Sequence, residues 1–202
     1  MKLATYRLRT PISEEEIRKI KVSDVIYITG TVITARDSAH KRAIELLKRG
    51  KNIPINLYGL VIFHCGPIVK KENGKWTVIA AGPTTSTRMD MFEEEFIKNF
   101  GVRVVIGKGG MGTRTMEAMK KYGAVYGAFT GGAAVLAAKA IKEVERVEWL
   151  DLGIPEALWV FKVENFGPLI VAIDSYGNNL FEDVKRNAKE KLSKIYEKLD
   201  VR

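Results

Sequence analysis

At 202 residues and 46% hydrophobic content, the chain is long enough for one domain with a sizeable core. Its 33 basic and 24 acidic side chains leave a net charge of +9, which points to an anionic partner, either nucleic acid or a small acid. The excess is spread along the chain without a Lys/Arg block, which weighs against nucleic acid. One cysteine, Cys65, and two histidines, His40 and His64, rule out an internal disulfide and argue against an all-protein iron–sulphur cluster or structural zinc.

The first residues, Met1 to Arg7, lack the apolar core of a signal peptide. The longest uncharged run, Tyr122 to Ala138, is broken by Gly123, Gly127, Gly131 and Gly132 and reads as strand, turn and helix, not as a membrane span. A cytoplasmic, reduced protein is expected. The absence of Gln beside abundant Lys and Glu suits a heat-adapted source.

In chain order, Ser13-Glu14-Glu15-Glu16 is a capping box that opens a short helix. The β-branched run Val25 to Ile33 is a strand. Thr34-Ala35-Arg36-Asp37-Ser38-Ala39-His40 then leads into a helix that reaches about Arg49 and closes on Gly50. Arg36 and His40 are four apart and share a face. They form either a solvated helix start or part of a site. Leu57 to Cys65 reads as a second strand, and Asn73-Gly74 marks a hairpin whose returning arm ends near Ala81. Cys65 reads better as a buried structural thiol than as a nucleophile.

The returning arm delivers Gly82-Pro83-Thr84-Thr85-Ser86-Thr87-Arg88-Met89-Asp90, just before a helical run from Met91 to Asn99. One hydroxyl is enough to cap a helix and here there are four, so a carboxylate site built with Arg88 stands beside the capping reading. From residue 100 the pattern becomes strand and helix in alternation: a strand from Val102 to Ile106, the glycine loop Gly107 to Gly112, a helix from Thr113 to Tyr122, a strand from Ala124 to Phe129, and a helix from Ala133 to about Glu145. Such units place ligands at strand C-terminal ends. The glycine loop matches G-x-G-x-x-G, yet no acidic residue lies between Glu117 and Glu143 to hold a ribose, and Lys108 precedes the glycines instead of closing a Walker motif. A backbone-lined seat for a small anion, with Lys108 as its cation, remains. Strands over Ala157–Val163 and Leu169–Asp174 follow, with Gly167-Pro168 between them. The last helix, from about Leu180 to Leu199, carries the stripe Val184, Ala188, Leu192, Ile195, Leu199 and is assigned core packing only.

Three strand-end loops thus carry cations, Arg36, Arg88 and Lys108, each beside a helix start. If they converge they make a pocket for a dicarboxylate, with Thr84, Asp37 and His40 close by.

Six ordered motifs carry a resemblance: T-A-R-D-S-A-H at 34–40, H-C-G-P at 64–67, A-G-P-T-T-S-T-R-M-D at 81–90, G-K-G-G-M-G at 107–112, T-G-G-A-A at 130–134 and V-E-N-F-G-P at 163–168. Together they resemble the β subunit of the class I iron–sulphur fumarase and L-tartrate dehydratase group, which is also the C-terminal domain of single-chain class I fumarases. The likeness runs from about Leu8 to Gly177. It implies an α/β fold over residues 1–202, a swivelling β/β/α three-layer domain with a parallel central sheet and a second, antiparallel sheet. It implies reversible hydration of fumarate to (S)-malate first, with L(+)-tartrate dehydration as the alternative. A [4Fe-4S] cluster would be ligated by cysteines of a partner α subunit, and no metal or cofactor would be held by this chain. By the same resemblance Thr84 matches a proton-abstracting threonine, Arg36, Arg88 and Lys108 match carboxylate-binding cations, and Asp37 and His40 lie in the first motif as catalytic candidates. The readings from other classes are a non-catalytic anion- or nucleic-acid-binding module and a nicotinamide-dependent dehydrogenase, the latter weakened by the missing acidic residue.

Overall fold

The computed structural model describes residues 3–199. Strand β1 (Thr5–Arg9) runs parallel to the first half of β2 (Val25–Thr34), and between them α1 (Glu14–Ile17) starts on the expected capping box, with Ser13 Oγ accepting from the Glu16 amide. Helix α2 (Asp37–Lys48) ends where Gly50 takes a left-handed φ of +64°, and the amide of Lys51 returns to the Leu46 carbonyl. Strand β3 (Val61–Phe63) precedes the hairpin β4 (Ile68–Glu72) and β5 (Lys75–Ala80), which turns at Asn73-Gly74. Then come α3 (Asp90–Phe100), β6 (Val104–Gly107), α4 (Thr113–Tyr122), β7 (Val125–Ala128), α5 (Ala134–Ala140), β8 (Ile141–Glu148), β9 (Leu158–Ile173) and α6 (Leu180–Leu199).

The main sheet has the order β1-β2-β3-β6-β7-β9-β8, and β9 also pairs with β2, so the sheet closes on itself. Pairings from β1 through β7 are parallel, while β9 runs antiparallel to β2, β7 and β8. Alternate side chains divide between two cores. Phe63, Ile106, Trp159, Phe161 and Phe166 fill the inner one, which the β4–β5 hairpin covers by setting Trp76 edge-on against Trp159 at 5.1 Å. Ile33, Ile62, Val105, Tyr126 and Val160 face outward into the second core with residues of α2, α3 and α4. Hairpin, closed sheet and helices form the expected α/β three-layer arrangement with a second, antiparallel sheet. Each large apolar side chain contributes about 1.5–3 kcal/mol when buried, so these two cores, more than helix propensity, fix where the strand ends lie.

Several elements differ from their sequence expectations. Strand β3 is shorter than Leu57–Cys65, because Gly59 turns the chain at φ +73° and the Leu60 amide bonds back to the Leu57 carbonyl. The helix expected to run to Glu145 stops at Ala140, and Ile141–Glu148 is a strand. Its Ile141, Val144 and Val147 have the three-residue spacing of a helix because two register shifts against β9 reset the alternation. The two strands expected around Gly167-Pro168 are one, since register shifts opposite Tyr27 and Thr29 let β9 carry extra residues past the proline. Strand β1 gave no recognised signal. The stripe of α6 is not core: Val184 is 60%, Leu192 45% and Ile195 49% exposed, and Ala188 is exposed as well, whereas the side chain of Leu199 lies outside the described residues. Periodicity reports an apolar face without saying that this chain covers it. Among the described residues no helix is long and apolar enough to cross a membrane.

Candidate active site

The loops after β2, β5 and β6 meet at one end of the closed sheet. Thr84 is fixed from both sides: its amide donates to the His64 carbonyl at 2.6 Å, and its own carbonyl accepts from the Lys108 amide at 3.1 Å. The Ser86 amide returns to the Lys108 carbonyl at 2.9 Å, so the hydroxyl-rich stretch and the glycine loop pair like two short strands. Arg88 closes the ring to the third loop by a two-pronged ion pair with Asp37, its Nε lying 3.2 Å from Asp37 Oδ1 and its Nη2 against Oδ2. Arg36 lies beside Glu156, Nε to Oε1 at 3.2 Å, and Glu156 also caps α2 by accepting from the Ser38 amide at 2.8 Å. Lys108 is exposed and makes no ion pair among the described residues, and its amine lies over Gly131, where an added Cβ would stand 3.7 Å from Nζ. The loops that carry Arg36, Arg88 and Lys108 are therefore tied together beside the Thr84 backbone.

The capping reading of the four hydroxyls fails. Neither the 3-10 turn at Ser86–Arg88 nor α3 has a side-chain cap; Thr87 donates to the Gly110 carbonyl and Ser86 points inward. Thr84 is half-buried, and its hydroxyl has no hydrogen-bond partner among the described residues. That leaves the hydroxyls of Thr84 and the exposed Thr85 without a partner among the described residues, and Thr84 is the one whose backbone is anchored between His64 and Lys108.

Beneath this surface lies a polar network with no exposed member. Glu93, on α3, is fully buried and receives His64 Nε2 at 2.6 Å and His40 Nε2 at 3.0 Å on the same oxygen, Oε1. His64 Nδ1 faces Ser86 Oγ at 2.9 Å, and His40 Nδ1 donates to the Arg36 carbonyl at 2.8 Å. The Tyr126 hydroxyl lies 2.9 Å from both Ser86 Oγ and the Gly109 carbonyl. Burial alone would raise the Glu93 carboxyl, but the two imidazoles outweigh it and hold the group at about 2. Burial lowers His64, and Glu93 opposes it. Burial pushes the Tyr126 hydroxyl and the Cys65 thiol up, so neither is ionised at neutral pH. His40 is thus placed below the surface, bonded to the Arg36 carbonyl on one side and to Glu93 on the other. A different groove, of about 650 Å³ and lined by residues such as Leu47, Tyr58 and Phe100, lies at the opposite strand ends and contains none of the candidate residues.

A family model described as "Fumarase C-terminus" matches residues 2–184. The chain belongs to the fumarase C-terminus family. The L(+)-tartrate dehydratase subunit beta of Escherichia coli is 50% identical over 192 residues, covering 95% of this chain and 94% of that protein. A putative L(+)-tartrate dehydratase subunit beta of Methanocaldococcus jannaschii is 45% identical over 185 residues, 91% of this chain and 95% of the relative. A putative fumarate hydratase class I of Geobacillus stearothermophilus is 46% identical over 191 residues, which are 94% of this chain but 36% of that longer protein.

Four residues of this fumarase C-terminus domain that matter to the site were not singled out from its sequence: Glu93, Ser86, Tyr126 and Glu156. Glu93 did leave a signal. It falls on the apolar stripe of α3 with Met89, Phe96 and Ile97, where a solvated glutamate would not sit. The glycines of the family motifs also gain a reason. A Cβ on Gly107 would stand 1.9 Å from Ser86 Oγ and 3.2 Å from His64 Nδ1. Gly107→Ala is expected to cost about 1–3 kcal/mol by forcing the network apart, read as a lowered midpoint in urea unfolding with an unchanged slope.

Proposed function

We propose that this chain is the substrate-reading β subunit of a two-part hydro-lyase that dehydrates a hydroxylated dicarboxylate, L(+)-tartrate ahead of malate or fumarate. The observation that carries the reading is the joining of the three loops that bear Arg36, Arg88 and Lys108 at the anchored backbone of Thr84, whose hydroxyl has no partner among the described residues. Two carboxylates need charged donors at both ends, and a bidentate arginine is suited to one of them. The sequence alone ranked fumarate first. Relatives at 50% and 45% identity that match along nearly their whole length carry the tartrate name, and that reverses the order.

Dehydration removes a proton from one carbon and hydroxide from the next. Arg36, Arg88 and Lys108 hold the carboxylates, and Thr84 takes the proton. Threonine is a weak base on its own, and no described residue accepts onward from its hydroxyl. The onward acceptor is therefore assigned to the partner. The iron–sulphur cluster implied by the resemblance does not fit this chain, whose one cysteine is fully buried in the inner core with its thiol pushed up by burial. The partner supplies that group, and Cys65 takes no part.

The test is co-expression with an α-type chain from the same source under anaerobic conditions, followed by turnover of L(+)-tartrate, fumarate and (S)-malate in parallel. Oxaloacetate formed from L(+)-tartrate at a kcat/KM at least about tenfold above that for fumarate is expected. A clear preference for fumarate would return the assignment to a fumarase. An inert chain that comes down alone would leave the binding-module reading.

A further inference from the structure

The buried network raises a question of protons. Both ring nitrogens of His40 face oxygens, Arg36 O at 2.8 Å and Glu93 Oε1 at 3.0 Å. A carbonyl can only accept, and a carboxylate held low is an acceptor too, so both nitrogens carry hydrogen. His64 satisfies its contacts as a neutral ring: its Nε2–H donates to Glu93, the Ser86 hydroxyl donates to Nδ1, and Tyr126 shares its one hydrogen between Ser86 Oγ and the Gly109 carbonyl. One positive and one negative charge are then enclosed where no side chain of the set is exposed. Glu93 Oε2 is buried without a hydrogen-bond partner, so both rings crowd one oxygen while the other is left bare. A buried ion pair seldom adds net stability, and an orphaned oxygen subtracts from it.

What the arrangement does secure is register. Through His40, Glu93 holds the carbonyl of Arg36. Through His64 it holds the strand end whose carbonyl anchors the Thr84 amide. Through Ser86 and Tyr126 it reaches Gly109, next to Lys108. We infer that Glu93 is the positioning residue of the site, a single carboxylate that sets the three substrate-reading loops against one another by a buried His40 imidazolium pair. The inference rests on the hydro-lyase reading for its consequence, although not for its geometry.

His40, His64 and Glu93 also form a group of donors within 4.8 Å of one another that could be taken for a metal site. Zinc bonds of about 2.0–2.1 Å in a tetrahedron would spread the donor atoms to about 3.3 Å, and the 2.6 Å contact from His64 to Glu93 is a hydrogen-bond length. The groups that face the pair are Asp37 and Arg36 from the first loop, Tyr126 from β7 and the rings of Phe92 and Phe96 from α3.

The chain holds only these two histidines, so nitrogen-15 imidazole spectra of the full chain at pH 7.5 read the network without overlap. One ring protonated on both nitrogens and one on Nε2 alone are expected. In Glu93→Gln the amide oxygen can still take the shared position against both rings, but the negative charge that holds the second proton on His40 is gone, so the fold persists and the doubly protonated ring disappears. In the reconstituted complex, Glu93→Ala is expected to lower kcat about a hundredfold, since misplacement by about 1 Å is enough for that. KM should move far less, because the long cationic side chains can still reach where the short Thr84 cannot. Glu93→Gln should restore most of the rate. Two neutral rings in the native chain, a doubly protonated ring that survives Glu93→Gln, or a metal-bound Nε2 signature would each overturn the inference, whether or not Glu93→Ala folds and whatever the substrate proves to be. Native-like kcat in Glu93→Ala would overturn it as well.

Discussion

Thr84→Val in the reconstituted complex is expected to lower kcat by about 10²–10⁴, the range associated with losing a positioned proton-transfer group. The backbone of Thr84 is held by His64 O at 2.6 Å and the Lys108 amide at 3.1 Å, and valine leaves both contacts intact. Its hydroxyl bonds to no described residue, so removing it orphans no buried group, and the midpoint of unfolding should stay within about 0.5 kcal/mol. Equilibrium dialysis with L(+)-tartrate should show binding little changed. The variant therefore separates chemistry from affinity, and an unchanged rate would move the base to another residue.

Arg88→Ala is the second large effect. The side chain is 49% exposed and pairs with Asp37, so little folding stability depends on it. In the complex, a charge-assisted contact to substrate is worth roughly 2–4 kcal/mol in transition-state binding, which is about a 30- to 1000-fold fall in kcat/KM. The upper part of that range is expected, because the truncation also leaves the Asp37 carboxylate unpaired and facing an anionic substrate. Arg88→Lys should recover the charge but not the two-pronged geometry, and should regain only part of the loss. Progress curves at substrate well below KM measure both variants directly. Near-normal turnover of Arg88→Ala would remove Arg88 from the site.

The parts of the fold that sequence made legible are those whose signals are local. The capping box at Ser13, the glycine closures of α2 and α4 and the Asn-Gly hairpin each fix their own few residues, and each was placed correctly. Strands β8 and β9 were misread because their bulges are set by the register of a partner far away in sequence. The exposed stripe of α6 was misread for a related reason: burial is a property of whatever lies opposite. At the candidate site, the joining of the loops that bear Thr84 and the three cations was legible from their strand-end positions. Glu93, one of three consecutive glutamates, was passed over although its place on the apolar stripe of α3 marks it, because the partners that turn it inward, His40 and His64, lie far away in sequence.

Strand β9 has a consequence for how the chain is made. One of its edges carries β2, and the other carries β8 and then β7, so that Val25 of β2 finds Ile170 as its partner. During synthesis β2 and β7 emerge well before that partner exists. Closing so long a loop costs entropy before any contact returns it, which makes ring closure a late event. Until then the free edge of β2 is a template for another chain. A polypeptide stopped at Gly153 would accordingly be an open ribbon seeking its own kind, and not a smaller folded protein.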